Sequence, residues 1–139
     1  MIEHAQTGDP AGAALNMVTG AVLNMVHEKG PSHAWAERVI ERAKTGDPAM
    51  AAYYMAHSCR SDREWAERVI ENAQTGEPAL AAYFMAFVCG SDRSWAEGII
   101  ERARTGDPAY AAYCMVVDCG SARAWAGGIM RNAWHSSED

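Results

Sequence analysis

Two kinds of hydrophobic pattern follow one another along this chain. In the first, Trp65, Ala66, Val69, Ile70 and Ala73 share one side of a helical wheel while Glu67, Arg68, Glu71 and Asn72 share the other, which predicts an amphipathic helix with a solvated second face. In the second, from Pro78 to Val88, no residue is charged and apolar side chains surround the wheel, the pattern of a helix buried on most sides. No segment alternates with period two, so no strand is predicted. Ser61 and Glu64 have the spacing of a capping box at the start of the first helix, and Thr75-Gly76 supplies a left-handed stop. Asp107-Pro108 has the cap and first-turn residues that restart a helix, which then runs about 11 residues to a second glycine such as Gly90.

This two-helix pattern repeats. Trp35, Trp65, Trp95 and Trp125 stand 30 residues apart, as do Pro48, Pro78 and Pro108, Met55, Met85 and Met115, and Cys59, Cys89 and Cys119. A unit of 30 residues holds two short helices and two tight turns, and such units bury their apolar faces only by stacking. The predicted fold is therefore all-α: an α-solenoid of 30-residue helix-turn-helix repeats, about 3.5 to 4 of them, in a right-handed stack of antiparallel helix pairs. Residues 1–139 form one domain, with a truncated and extended unit over 1–30, regular units over 31–60, 61–90 and 91–120, and a helix and tail over 121–139. In the first unit Leu15-Asn16-Met17-Val18 recurs as Leu23-Asn24-Met25-Val26. This eight-residue duplication lengthens the second helix there by about two turns, roughly 12 Å. Upstream, Ile2-Glu3-His4-Ala5 matches Ile40-Glu41-Arg42-Ala43, so the chain starts inside a first helix.

The segment Ala43 to Met55, with Gly46-Asp47 and Ala51-Ala52-Tyr53, resembles the Sel1-like relatives of tetratricopeptide repeats over the three later units. The unit is shorter than a Sel1-like one, and Pro48 adds a residue after Gly46-Asp47. The resemblance implies protein-protein scaffolding without catalysis or cofactor.

Charge narrows the partners. Twelve Lys and Arg against 18 Asp and Glu leave a net charge of -6, the wrong sign for gripping phosphate backbones, so direct nucleic-acid binding is not expected. The segment MIEHAQTGDP lacks the basic and apolar regions of a signal peptide, and no run of 18 apolar residues could cross a bilayer, which points to a cytoplasmic protein without a membrane partner. Catalytic motifs are missing: no Gly-rich phosphate loop, nucleophile elbow, His-x-x-x-His or Cys-x-x-Cys. Cys59, Cys89 and Cys119 form a column. Stacked helices sit roughly 8 to 10 Å apart, too far for disulfide geometry, so the column reads as core-packed free thiols without a metal.

The copies differ on one side only. Met50, Tyr54, His57 and Ser58 become Leu80, Phe84, Phe87 and Val88, then Tyr110, Cys114, Val117 and Asp118, all within an arc of about 140° to 240° from Ala52. Pro48, Ala52, Met55, Ala56 and Cys59 make the opposite, nearly invariant arc. Two readings stay open. The variable stripe is either packed inside the superhelix or lines a concave wall for another protein or peptide, with Met50, Tyr54, His57, Leu80, Phe84, Phe87, Tyr110, Cys114 and Val117 at the contact. A protein-binding module is the favoured function. The alternative is a small acidic inhibitor, either a nucleic-acid mimic acting through the ladders Glu37, Glu67, Glu97 and Glu41, Glu71, Glu101 or a mobile-element-encoded blocker of a nucleic-acid-processing complex. An engineered repeat is a third reading, against which the eight-residue duplication stands. Finally, the slots of Glu97, Gly98 and Glu101 become Gly127, Gly128 and Arg131 in the last unit, and the slot of Lys44, Gln74 and Arg104 becomes Trp134. These changes point to a homodimer through Gly127, Gly128 and Trp134, or to a frayed last helix with Trp134 folded back.

Overall fold

The computed structural model describes residues 31–138, with side chains from His33 to Asn132. The duplicated segment of the first unit, the residues before it and the side chain of Trp134 lie outside the described residues. Among the described residues there are seven helices and no strand: α1 (Pro31–Arg42), α2 (Pro48–Ser58), α3 (Arg63–Asn72), α4 (Pro78–Val88), α5 (Arg93–Arg102), α6 (Pro108–Cys119) and α7 (Arg123–Glu138). None is long and apolar enough to cross a membrane.

First helices (α1, α3, α5, α7) and second helices (α2, α4, α6) form two layers of an all-α solenoid. Each second helix packs on the first helices before and after it, and α4 also packs directly on α2 and α6. Successive first helices approach one another far less. The reason is side-chain size. Ala51, Ala52, Ala81, Ala82, Ala111 and Ala112 are fully buried and let the second helices close up, so the stack curves with the second helices on its concave side. Met55, Met85 and Met115, with Ile40, Ile70 and Ile100 from the first helices, fill the space between the layers.

The helix ends explain the repeat's punctuation. Asp47 and Asp107 cap their helices by accepting from Met50 N–H and Tyr110 N–H, at 3.1 and 3.0 Å. Asp47 Oδ1 also accepts from Glu77 N–H, one unit on, at 3.1 Å, and Glu77 Oε1 accepts from Asp107 N–H at 2.9 Å. Beside them the hydroxyls of Thr75 and Thr105 donate to the carbonyls of Gly46 and Gly76, each at 2.9 Å. The Thr-Gly-acid-Pro turns therefore stack as a hydrogen-bonded ladder. Gly76 is required in it twice over: its φ is +81°, and a Cβ would lie 2.3 Å from Asp47 Oδ1. First helices stop earlier than Thr75-Gly76 implied. α3 ends at Asn72 and Ala73 is already extended.

Two expectations need correction. Ser61 and Glu64 do not form a capping box: α3 begins at Arg63 after Asp62, and the Ser61 hydroxyl donates instead to Glu37 of the preceding unit at 2.6 Å. The same tie runs from Ser91 to Glu67 and from Ser121 to Glu97, each at 2.5 Å. The ladder Glu37, Glu67, Glu97 is thus half-buried and hydrogen-bonded rather than solvated. A buried serine needs an acceptor, and the carboxylate of the unit before supplies it.

Candidate functional site

Contacts between second helices show which way each slot points. The ring of Phe84 stacks on Tyr53 with centroids 5.1 Å apart, so the slot of Tyr54, Phe84 and Cys114 faces the preceding unit. The Tyr83 hydroxyl donates to Asp118, so the slot of Asp118 faces backward as well. Burial first, and that bond second, hold the Tyr83 phenol protonated far above the usual tyrosine range. The slot of Tyr53, Tyr83 and Tyr113 faces forward. Between these two directions lie the slots of Met50, Leu80 and Tyr110 and of His57, Phe87 and Val117, which open onto the concave side.

Exposure follows this division. Phe87, Tyr110 and Val117 are exposed at 53%, 53% and 61%, and Val88 beside them at 41%. His57 is exposed and lies parallel to Tyr53, ring centroids 5.6 Å apart. Met50, Tyr54, Leu80 and Phe84 are half-buried, held partly in the contacts between units. Cys114 is buried, with Tyr83 and Tyr110 as its neighbours. The variable stripe is thus divided: Tyr54, Phe84, Cys114 and Asp118 along its backward edge join the units, while its centre, together with the exposed Val88, forms an open wall. That wall carries no lysine, arginine or glutamate. α2 and α4 contain no acidic or basic residue apart from His57, and the one carboxylate of α6, Asp118, is engaged by Tyr83. Nearly all the charge of the described residues lies on the first helices and the turns.

Comparison with protein-family models, curated proteins and solved structures finds no match for this chain. What the surface can do therefore has to be read from its own chemistry.

On the outer layer, directional bonds replace apolar contact. Trp65 Nε1–H donates to Glu41 at 2.6 Å, again one unit back. Trp95 and Trp125 occupy the same slot, yet their Nε1 atoms are buried without a partner, and Glu71 and Glu101 at the slot of Glu41 are exposed. Grooves of about 240 and 250 Å³ lie between successive first helices, the first lined by Trp65, Arg68 and Pro48, the second by Arg102, Arg104 and Pro78. Arg63 and Arg93 each tie the two helices of their own unit, donating to the carbonyls of Gly90 and Gly120 at 2.9 and 3.0 Å while lying 3.5 and 3.7 Å from Glu67 and Glu97.

One cluster imitates catalytic machinery. His33 stands at the arginine slot, and its Nε2 lies 2.9 Å from Glu37 and 3.0 Å from Ser61. A nucleophilic triad needs both imidazole nitrogens, one toward the serine and one toward the acid. Here a single nitrogen meets both groups, the Ser61 proton already goes to Glu37, and Ser61 is buried. The Ser–Glu pair recurs without histidine in the next two units, which marks the cluster as a packing tie. Among the described residues no group of three or more His, Cys, Asp and Glu side chains could hold a metal ion. The four cysteines are free, and burial raises the thiol pKa of Cys59.

Sequence reasoning found the stripe but missed Val88 as an exposed contact and missed Tyr113 altogether. Tyr113 occupies a core slot in both preceding copies and is 55% exposed in α6. The Ser61–Ser91–Ser121 repeat was the available signal for the inter-unit ties, since a serine fixed in three copies beside a core turn needs a fixed acceptor.

Proposed function

We propose that this chain is a protein-binding module that receives a partner on the concave wall of its second helices. The observation that carries this reading is the exposed, uncharged row of Phe87, Val88, Tyr110 and Val117 on a protein of net charge -6. Apolar side chains clustered on an otherwise polar surface mark interaction sites, and aromatic residues are the usual anchors of such sites. The resemblance of Ala43–Met55 to Sel1-like repeats points the same way. Charge mimicry fits less well, because one of the two acidic ladders is committed to holding the units together.

The test is capture from cells of the source organism with the full chain and a Phe87→Ser/Val88→Ser variant. Both residues are exposed, so helical circular dichroism and thermal unfolding should stay nearly unchanged while the captured partner is lost. A second variant, Glu71→Lys/Glu101→Lys, reverses exposed acidic groups and should leave capture intact. Unchanged capture by the first variant, or loss with the second, would overturn the wall as the binding site.

A further inference from the structure

Five rings run without a break across α2 and α4. His57 lies parallel to Tyr53 at 5.6 Å, Tyr53 stacks on Phe84 at 5.1 Å, Phe84 meets Tyr83 at 5.0 Å, and Tyr83 lies parallel to Phe87 at 5.7 Å, centroid to centroid. Tyr53 and Tyr83 are buried and Phe84 is half-buried, so only the two end rings, His57 and Phe87, stand in the open. Because α4 packs on α2 before it and α6 after it, the exposure of Phe87 owes nothing to the end of the stack. Each end ring is held against a buried tyrosine one turn back on its own helix, the i, i+4 pairing. The two are therefore presented alike on adjacent units, as ridges fixed before any ligand arrives.

The spacing of the ridges selects an occupant. His57 and Phe87 hold the same slot of neighbouring second helices, and packed helices sit roughly 8 to 10 Å apart. A ligand lying along the stack must present a side chain at that interval. An α-helix returns every 5.4 Å, or about 10.8 Å over two turns, and a strand returns to one face every ~6.6 Å. A polyproline II helix returns every three residues, about 9.3 Å, and alone falls inside the range. Backbone chemistry agrees. A strand would bring unpaired N–H and C=O groups to a wall with no ladder to receive them, whereas a polyproline II backbone stays solvated and proline carries no N–H. The wall has no lysine or arginine and its one carboxylate, Asp118, is engaged, so it favours uncharged rings over charged side chains. Resting on the concave wall as the binding face, we propose that its occupant is a proline-rich segment of a partner protein in polyproline II conformation. Prolines three residues apart seat against His57 and Phe87, and Val117 on α6 continues the row.

The probes are two fluorescein-labelled peptides titrated by anisotropy against the full chain. In one, Pro-Gln-Gln is repeated three times and closed by a proline, so that prolines recur at every third position. In the other, Pro-Gln is repeated five times, which adds proline but leaves no two prolines three residues apart. The first peptide should bind saturably, and the second at least about fivefold more weakly. Phe87→Ser should weaken the first about tenfold, the loss of an aromatic anchor, and His57→Ser should weaken it several-fold. Both side chains are exposed, so helical circular dichroism should not change with either substitution. Equal binding of the two peptides, full binding by Phe87→Ser, or no saturable binding up to about 1 mM overturns the proposal. The two readings fail separately. If Phe87→Ser/Val88→Ser loses the partner captured from cells while neither peptide binds, the wall stands as a binding face and the proline-rich occupant is overturned. Tighter binding of a stapled amphipathic helix than of the first peptide, lost in Phe87→Ser, assigns the wall to a helix and overturns it as well.

Discussion

The inner and outer layers of this solenoid are held by different forces. Between second helices the contacts are mainly alanines at zero exposure and stacked rings, with one hydrogen bond, Tyr83 to Asp118, and no ion pair is needed. Between first helices the gap is wider, and hydrogen bonds of fixed length cross it: serine to glutamate and tryptophan to glutamate. Apolar contact is non-directional and scales with area, so the inner layer sets spacing and supplies most of the cohesion. Hydrogen bonds are directional and individually modest, so the outer layer sets which unit meets which and at what angle. The division also leaves the inner layer free to vary its open slots, because cohesion there depends on the alanines and methionines behind them.

This contrast can be broken by substitution, and the effects should fall in order. Met85→Ala removes a fully buried side chain between the layers and should cost about 2 to 5 kcal/mol in denaturant unfolding, enough to threaten a chain of this size. A loss below about 1 kcal/mol would place the cohesion elsewhere. Ser91→Ala cuts one outer tie and strands part of the Glu67 carboxylate, and should cost about 1 to 3 kcal/mol, seen as a lower midpoint at unchanged slope. A neutral result would show that the outer bonds set nothing. The smallest change should stabilise. Arg60 takes φ +63° at the slot filled by Gly90 and Gly120, and Arg60→Gly should relieve the left-handed strain, less the entropy glycine adds to the unfolded chain, for a net gain of roughly 0.5 kcal/mol.

The fold was legible because repetition repeats its evidence. Pro48, Pro78 and Pro108 start three helices, and the glycines at 76, 90, 106 and 120 all take positive φ, so period and punctuation agree. The concave wall was legible in outline for the same reason: slots that differ among copies are slots the stacking does not need. Two things were hidden. Glu67 looks solvated in sequence because its neighbours Arg68 and Glu71 are polar, while its partner Ser91 lies 24 residues away on the next unit. Local pattern carries no information about a bond at that distance. Tyr113 looks like core because Tyr53 and Tyr83 are core, and only the packing of α6 shows that a repeated residue can have an unrepeated environment.

The stacked Thr-Gly-acid-Pro turns bear on how the chain reaches this fold. Each rung joins residues 29 or 30 apart, and the most distant side-chain hydrogen bond described, Tyr83 to Asp118, spans 35. No rung requires remote ends of the polypeptide to meet, so the entropy of closing a large loop never arises, and topology of this kind favours fast folding. Any adjacent pair of units can serve as the nucleus, with growth in either direction as the next turn adds its rung. Amide hydrogen exchange should then follow position along the stack, slowest around α4 and progressively faster outward through α6 and α7.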